Sequence, residues 1–188
     1  MEGSDKAAVA RARAGDREAF RFLVERHSRN VFRLAFRMTR SEEDAEDVVQ
    51  ETFLKAYRNL HRFGGQSEFS TWLHSIAAHC ALDLLRRRAH SQAQTRPLEA
   101  EAIQAAVANE ATPERAAYGS EIGREVARSL EHLSVMERTA FVLRHFEGRT
   151  IAEIGRTLGV RNGAAKNCVF RAVAKLRQDL APIAGGAR

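Results

Sequence analysis

The chain has 188 residues, of which 44% are apolar and 29% charged, and a formal net charge of +6. That length holds one large domain or two small ones, and the composition is that of a soluble globular protein, neither disordered nor collagenous. The charge is uneven: residues 126–188 carry eleven Lys and Arg against five Asp and Glu, while residues 91–125 carry three against six, so phosphate binding would place its surface at the C-terminal end and not in the middle, although the charge alone equally fits cations that keep helical surfaces soluble.

The first predicted helix is capped by Asp16 and carries a stripe of Phe20, Leu23, Val24, His27, Val31, Leu34, Ala35 and Met38 at three-and-four spacing. Ser41 caps a second, with Glu42, Glu43 and Asp44 in the first turn, where the macrodipole favours negative charge. Its apolar side is Ala45, Val48, Val49, Thr52, Phe53, Ala56 and Leu60. Gly64-Gly65 marks a loop over His61–Phe69. A third helix starts near Ser70, buries Leu73, Ile76, Ala77, Cys80 and Leu84, and closes on Arg86-Arg87-Arg88.

The stretch Ala89–Ser120 contains Pro97 and Pro113, is rich in Ala, Gln and Glu, and lacks a sustained apolar stripe. It is expected to be a flexible linker, in which Leu98–Val107 could form a loose helix. Beyond it, Ser134-Val135-Met136-Glu137 and Thr150-Ile151-Ala152-Glu153 are capping boxes, and Gly148 and Gly159 mark breaks. Ile151, Ile154 and Leu158 line one helix; Ala165, Val169, Val173 and Leu176 line the next, with Val160 tucked into the turn. Lys166, Asn167, Phe170 and Arg171 then face outward. This is the pattern of a helix-turn-helix, whose second helix enters the major groove of DNA.

No segment alternates with period two and no internal repeat occurs. The expected fold is all-α: two small helical domains over 10–90 and 124–182, joined by a linker over 91–123. Cys80 and Cys168 form no Cys-x-x-Cys pair, which argues against zinc or a disulfide framework, and small buried thiols suit their helical positions. No metal, other cofactor or small-molecule substrate is expected. There is no apolar run of about 18 residues and no signal-peptide core, so the protein is expected in the cytoplasm.

Three blocks in order, Asp44-Ala45-Glu46-Asp47-Val48-Val49-Gln50-Glu51-Thr52-Phe53-Leu54-Lys55-Ala56, Phe69-Ser70-Thr71-Trp72-Leu73 and Asp83-Leu84-Leu85-Arg86-Arg87, resemble region 2 of bacterial sigma factors. The C-terminal helix-turn-helix resembles region 4. With no region 3 domain between them, the layout is similar to the extracytoplasmic-function class, and the resemblance covers nearly all of residues 10–180.

The resemblance implies a promoter-specificity subunit of RNA polymerase and not an enzyme. Its acidic helix would dock on the polymerase β′ subunit through Asp44, Asp47, Gln50, Glu51 and Phe53, with the β subunit as a further contact. The charges alone would also fit a solvated helix face. Region 2 would hold the −10 element: Gln66 and Ser67 could hydrogen-bond a base that has left the stack, and Arg62, Arg86, Arg87 and Arg88 could hold phosphates. Trp72 is expected to pack the domain instead of stacking on DNA. Region 4 would read the −35 element through Arg161, Asn162, Lys166, Asn167, Phe170 and Arg171, with Arg149 on phosphate. Arg or Lys suits guanine and Asn suits adenine. The resemblance also implies an anti-sigma partner that covers the polymerase-binding surface.

The chain departs from the family in several places. Leu133-Ser134-Val135 stands where Leu-Pro is common, His79 where Asn is common, and Gly163-Ala164-Ala165-Lys166-Asn167-Cys168 where Gly-Thr-Val-Lys-Ser-Arg is common. The −35 preference therefore cannot be copied from a relative. Two other functions would use fewer of these features. A stand-alone helix-turn-helix regulator leaves the region 2 blocks unexplained. A carboxylate-metal nucleic-acid enzyme lacks a second acidic cluster or a His at ligand spacing.

Overall fold

The computed structural model describes residues 4–65, 67–95, 126 and 128–185. The chain divides into two compact units, Met1–Leu84 and Leu85–Arg188, and all regular structure among the described residues is helical. Most of the expected linker, including Leu98–Val107, lies outside the described residues.

The first unit begins with α1 (Asp5–Arg13), capped by the Ser4 side chain and buried through Ala8, Val9 and Ala12. The sequence pattern did not predict this helix. Next comes α2 (Arg17–Thr39), whose cap Asp16 accepts from the Ala19 amide at 3.0 Å. That backbone hydrogen bond, reinforced by Arg11, holds the Asp16 carboxyl below its ordinary range. The predicted stripe is buried at Leu23, His27, Val31, Leu34, Ala35 and Met38. Phe20 and Val24 are only half-buried.

The turn into α3 (Glu42–Asn59) places Arg40 in the left-handed region at φ 63°, with its guanidinium 5.3 Å from the Phe36 ring centre. Ser41 caps α3 by accepting from the Asp44 amide. A short 3-10 turn, Leu60–Arg62, leads into the loop before α4 (Phe69–Thr95). Leu23, Val31, Leu34, Met38, Val48, Leu73 and Leu82 are among the fully buried side chains, each worth roughly 1.5–3 kcal/mol of transfer free energy.

The expectation that the third helix closes at Arg86–Arg88 is corrected: α4 continues to Thr95. Ala89, Gln92, Ala93 and Gln94 are good helix formers, and the first breaker downstream is Pro97. A cationic run suits a helix end but does not stop the helix.

The second unit contains α5 (Val135–His145), α6 (Ile151–Leu158) and α7 (Asn162–Gly185). Both expected capping boxes are formed. The Ser134 and Thr150 hydroxyls accept from the Glu137 and Glu153 amides, and each Glu reaches back to its cap residue's backbone N–H. Leu130, Leu133, Ala172 and Leu176 form one buried cluster, with Val126 and Phe141 packed against it.

Candidate nucleic-acid and protein interfaces

The α6–α7 corner is fixed by two glycines with different tasks. Gly159 ends α6 in the left-handed region at φ 68°, a conformation that strains any residue with a Cβ. Gly155 is needed for close approach: a Cβ there would lie 2.9 Å from the Val160 carbonyl oxygen. Ile154, Leu158, Ala165 and Ala172 are buried beneath this corner. Arg161, Asn162, Lys166, Asn167, Phe170 and Arg171 are all exposed, so the predicted reading face is presented to solvent. Phe170 is 73% exposed, a large uncompensated apolar surface that suits contact with a partner.

Arg149 differs from the rest of the expected set. Its side chain is 12% exposed, with Nη1 3.6 Å from Glu153 Oε1. Its carbonyl accepts from Arg144 Nη1 at 2.9 Å. Much of its charge is therefore engaged in holding the start of α6. The Glu153 carboxyl is kept below its ordinary range, first by the Thr150 backbone hydrogen bond and then by the Thr150 hydroxyl.

In the first unit, the loop between the 3-10 turn and α4 borders a cleft of about 300 Å³ whose other wall is α1. Ser67 is exposed beside it, and Arg62 is exposed on the 3-10 turn. Gln66 lies outside the described residues. Beyond Leu84, on the part of α4 that falls in the second unit, Arg86, Arg87 and Arg88 are exposed, with Arg86 Nη2 donating to the Leu158 carbonyl at 2.8 Å. The Trp72 ring lies 5.1 Å from Phe63 and 5.8 Å from Phe69, so it packs within the aromatic cluster at the base of the loop.

The acidic helix needs a correction. Asp44 is 2% and Phe53 7% exposed, so both belong to the interior of the unit and not to its outer face. Phe53 meets Phe20 edge-on at 6.5 Å. Spacing by three and seven places Asp44 near Asp47 and Glu51 around the helix, but Asp44 sits in the first turn, beneath the Ser41 cap. Asp47 and Gln50 are exposed and Glu51 is half-buried, 3.3 Å from Lys55. The sequence reading missed Leu54 and Tyr57, which stand 51% and 50% exposed on the outside of α3. Their signal was an apolar side chain one turn beyond Gln50 and outside the buried stripe.

Cys80 is buried and Cys168 half-buried, and both are free thiols. Burial pushes the Cys80 thiol up. Among the described residues, no group of three or more His, Cys, Asp or Glu is placed to hold a metal ion. No helix there is long and apolar enough to cross a membrane.

Comparison with known proteins supplies matches to both units. The family model for Sigma-70 region 2 matches residues 23–91, and that for Sigma-70 region 4 matches residues 123–176. The chain is 33% identical over 183 residues to the RNA polymerase sigma-H factor of Pseudomonas aeruginosa, covering 95% of each. It is 35% identical over 159 residues to the ECF RNA polymerase sigma factor SigE of Mycolicibacterium smegmatis, covering 85% of this chain and 60% of that longer protein. Among solved structures, CnrH in complex with the cytosolic domain of CnrY superimposes with a TM-score of 0.60 at 27% identity, covering 95% of this chain and 97% of CnrH.

Proposed function

The chain belongs to the sigma-70 family of RNA polymerase sigma factors, in the extracytoplasmic-function class, and from that membership we propose how its surfaces divide the work. As a sigma factor it binds core RNA polymerase and directs promoter recognition and transcription initiation. Its relatives are sigma factors, which are not enzymes, and bond formation belongs to the polymerase.

The polymerase-docking face is the exposed side of α3: Asp47, Gln50 and Glu51 supply negative and polar contacts, and Leu54 an apolar anchor. An acidic rim around one protruding Leu fits a partner helix surface that is both basic and apolar. Promoter opening belongs to residues 10–90, which carry Arg62, Gln66 and Ser67 around the loop and Arg86, Arg87 and Arg88 along α4. Upstream duplex reading belongs to residues 124–182. There α7 enters the major groove with Lys166, Asn167, Phe170 and Arg171 toward the bases and Arg161 and Asn162 at its start, while Arg149 supports the phosphate side. Residues 91–123 set the reach between the two modules.

An anti-sigma protein competes for the α3 face; CnrH, a structural relative, is solved in complex with the cytosolic domain of CnrY. The protein works in the cytoplasm, where the polymerase is.

The observation that carries this reading is the exposed, convergent set on α7 above a corner closed by Gly155 and Gly159. The test is reconstituted transcription with bacterial core polymerase on pooled genomic promoter fragments, with start sites sequenced. Discrete new starts sharing two spaced upstream elements are expected. Failure to bind core polymerase overturns the reading.

A further inference from the structure

The C-terminal end of α6 leaves its last carbonyls to be satisfied from outside the helix. The turn that follows supplies two of these bonds. The Gly159 N–H donates to the Arg156 carbonyl at 3.3 Å, and the Val160 N–H donates to the Gly155 carbonyl at 2.9 Å. Neither reaches Leu158, the last residue of α6. Its carbonyl accepts instead from Arg86 Nη2 at 2.8 Å, across 72 residues of chain. The same nitrogen lies 3.9 Å from where a Cβ on Gly159 would stand, so the guanidinium rests against the left-handed turn itself. Arg86 and Leu158 both belong to the second unit.

A cation at this place has two effects. It satisfies a backbone carbonyl in a bond that is partly buried, and it opposes the negative end of the α6 dipole. The corner it braces sets the direction in which α7 leaves α6. Asn162, the first residue of α7, has its Oδ1 only 3.1 Å from where a Cβ on Gly155 would stand, so a small shift of the turn is felt at the start of α7. The geometry points to Arg86 as a positioning residue for upstream duplex reading. Among the described residues its hydrogen bond is to the Leu158 carbonyl and to no base-facing side chain. It acts through that carbonyl, holding the turn from Leu158 to Val160 and with it the direction in which Lys166, Asn167 and Arg171 are presented. This rests on the assignment of upstream reading to residues 124–182. It adds a task to a residue already assigned to promoter phosphate, since a guanidinium has five N–H donors and this bond uses one.

The test uses the full chain in two arms. Hydrogen exchange reads the turn directly: Arg86→Ala should quicken exchange at the Gly159 and Val160 amides roughly tenfold. Arg86→Lys, which keeps a charged donor, should restore part of that protection. Fluorescence anisotropy on a duplex carrying the upstream element alone reads the consequence. There Arg86→Ala should weaken binding roughly threefold to tenfold and flatten base preference at the positions read from α7. The slope of log affinity against log salt should stay unchanged. A slope lowered by about 0.9 would mark a lost phosphate contact in that duplex and overturn the proposal. Unchanged exchange at the turn overturns it too. So does weaker binding with base preference intact, which would mark only a loss of folded protein. If the wild-type chain shows no sequence preference on this duplex, the assignment of upstream reading fails, and the positioning role falls with it even where exchange shows the turn to be braced.

Discussion

His27 Nε2 lies 2.9 Å from Asp5 Oδ2, a bond between residues 22 apart that fastens α1 onto α2. His27 is buried and Asp5 also meets Arg26, so the carboxylate serves two partners at the foot of the first unit. Removing it leaves a buried imidazole without that partner. Asp5→Ala should cost about 1–3 kcal/mol, read as a lower urea midpoint. Amide exchange should quicken over α1 before it does over α3. Unaltered exchange in α1 would show that apolar contact alone holds the helix.

The acid sensitivity of the second unit should centre on Glu137. Burial alone would raise this carboxyl. Hydrogen bonds from Lys175 at 2.7 Å and from Ser134, together with the Lys175 charge, hold it below its ordinary value of 4.5. A depressed folded-state value means stability that is fully present above 4.5 and lost as pH falls through the folded value. The apparent Tm of the second unit should therefore fall between about pH 5 and 3. Glu137→Gln should flatten that fall while lowering the Tm at pH 7. A profile identical to wild type would remove Glu137 from the account.

On α3, exposed and buried positions should separate cleanly. Asp47→Lys with Glu51→Lys, or Leu54→Asp alone, should weaken core-polymerase affinity by about tenfold or more and shift the Tm little. Phe53→Ala should instead destabilise by about 3–5 kcal/mol, as truncation of a buried aromatic does. Fluorescence anisotropy with labelled core, paired with thermal melts, distinguishes the two classes. Normal core affinity in both surface variants would remove α3 from the interface.

Helix α7, proposed to read the upstream duplex, should tolerate substitution structurally while losing sequence preference. Asn167→Ala and Arg171→Ala should each cost about 1–3 kcal/mol of base discrimination at one position of the upstream element. Both side chains are exposed, so stability should stay within about 0.5 kcal/mol of wild type. Selection from a randomised upstream element reads this directly. A preference unchanged at every position would exclude base reading by these residues.

Gly155 should be the most sensitive small residue of the corner. Adding a methyl group places carbon 2.9 Å from the Val160 carbonyl oxygen, a backbone atom that cannot swing aside. Gly155→Ala should destabilise the second unit by about 1–3 kcal/mol and weaken upstream duplex binding without altering core affinity. A neutral melt would mean that the corner relaxes freely.

Local chemistry made much of this protein legible. Asp16, Ser41, Ser134 and Thr150 announce helix starts because a side-chain oxygen beside an apolar stripe has one dominant use. Gly159 announces a turn, and the stripe from Leu23 to Met38 announces a buried face. The outward set on α7 follows from 3.6-residue periodicity once the buried side is known. Helix α1 stayed hidden because its buried residues are Ala8, Val9 and Ala12, too small to make a stripe. The end of α4 was misread because three cations suit a helix terminus without enforcing one.

Sequence by itself determined the helical class, the caps, the order of the blocks and the solvent-exposed side of α7, since each depends on neighbours within a turn or two of chain. Tertiary structure decided which acidic residues of α3 face solvent, and it buried Asp44 while leaving Leu54 and Tyr57 outside. It also set α1 against the loop to make a cleft. Those outcomes depend on which helix lies against which, and burial against a distant segment leaves no mark in the local periodicity of either partner.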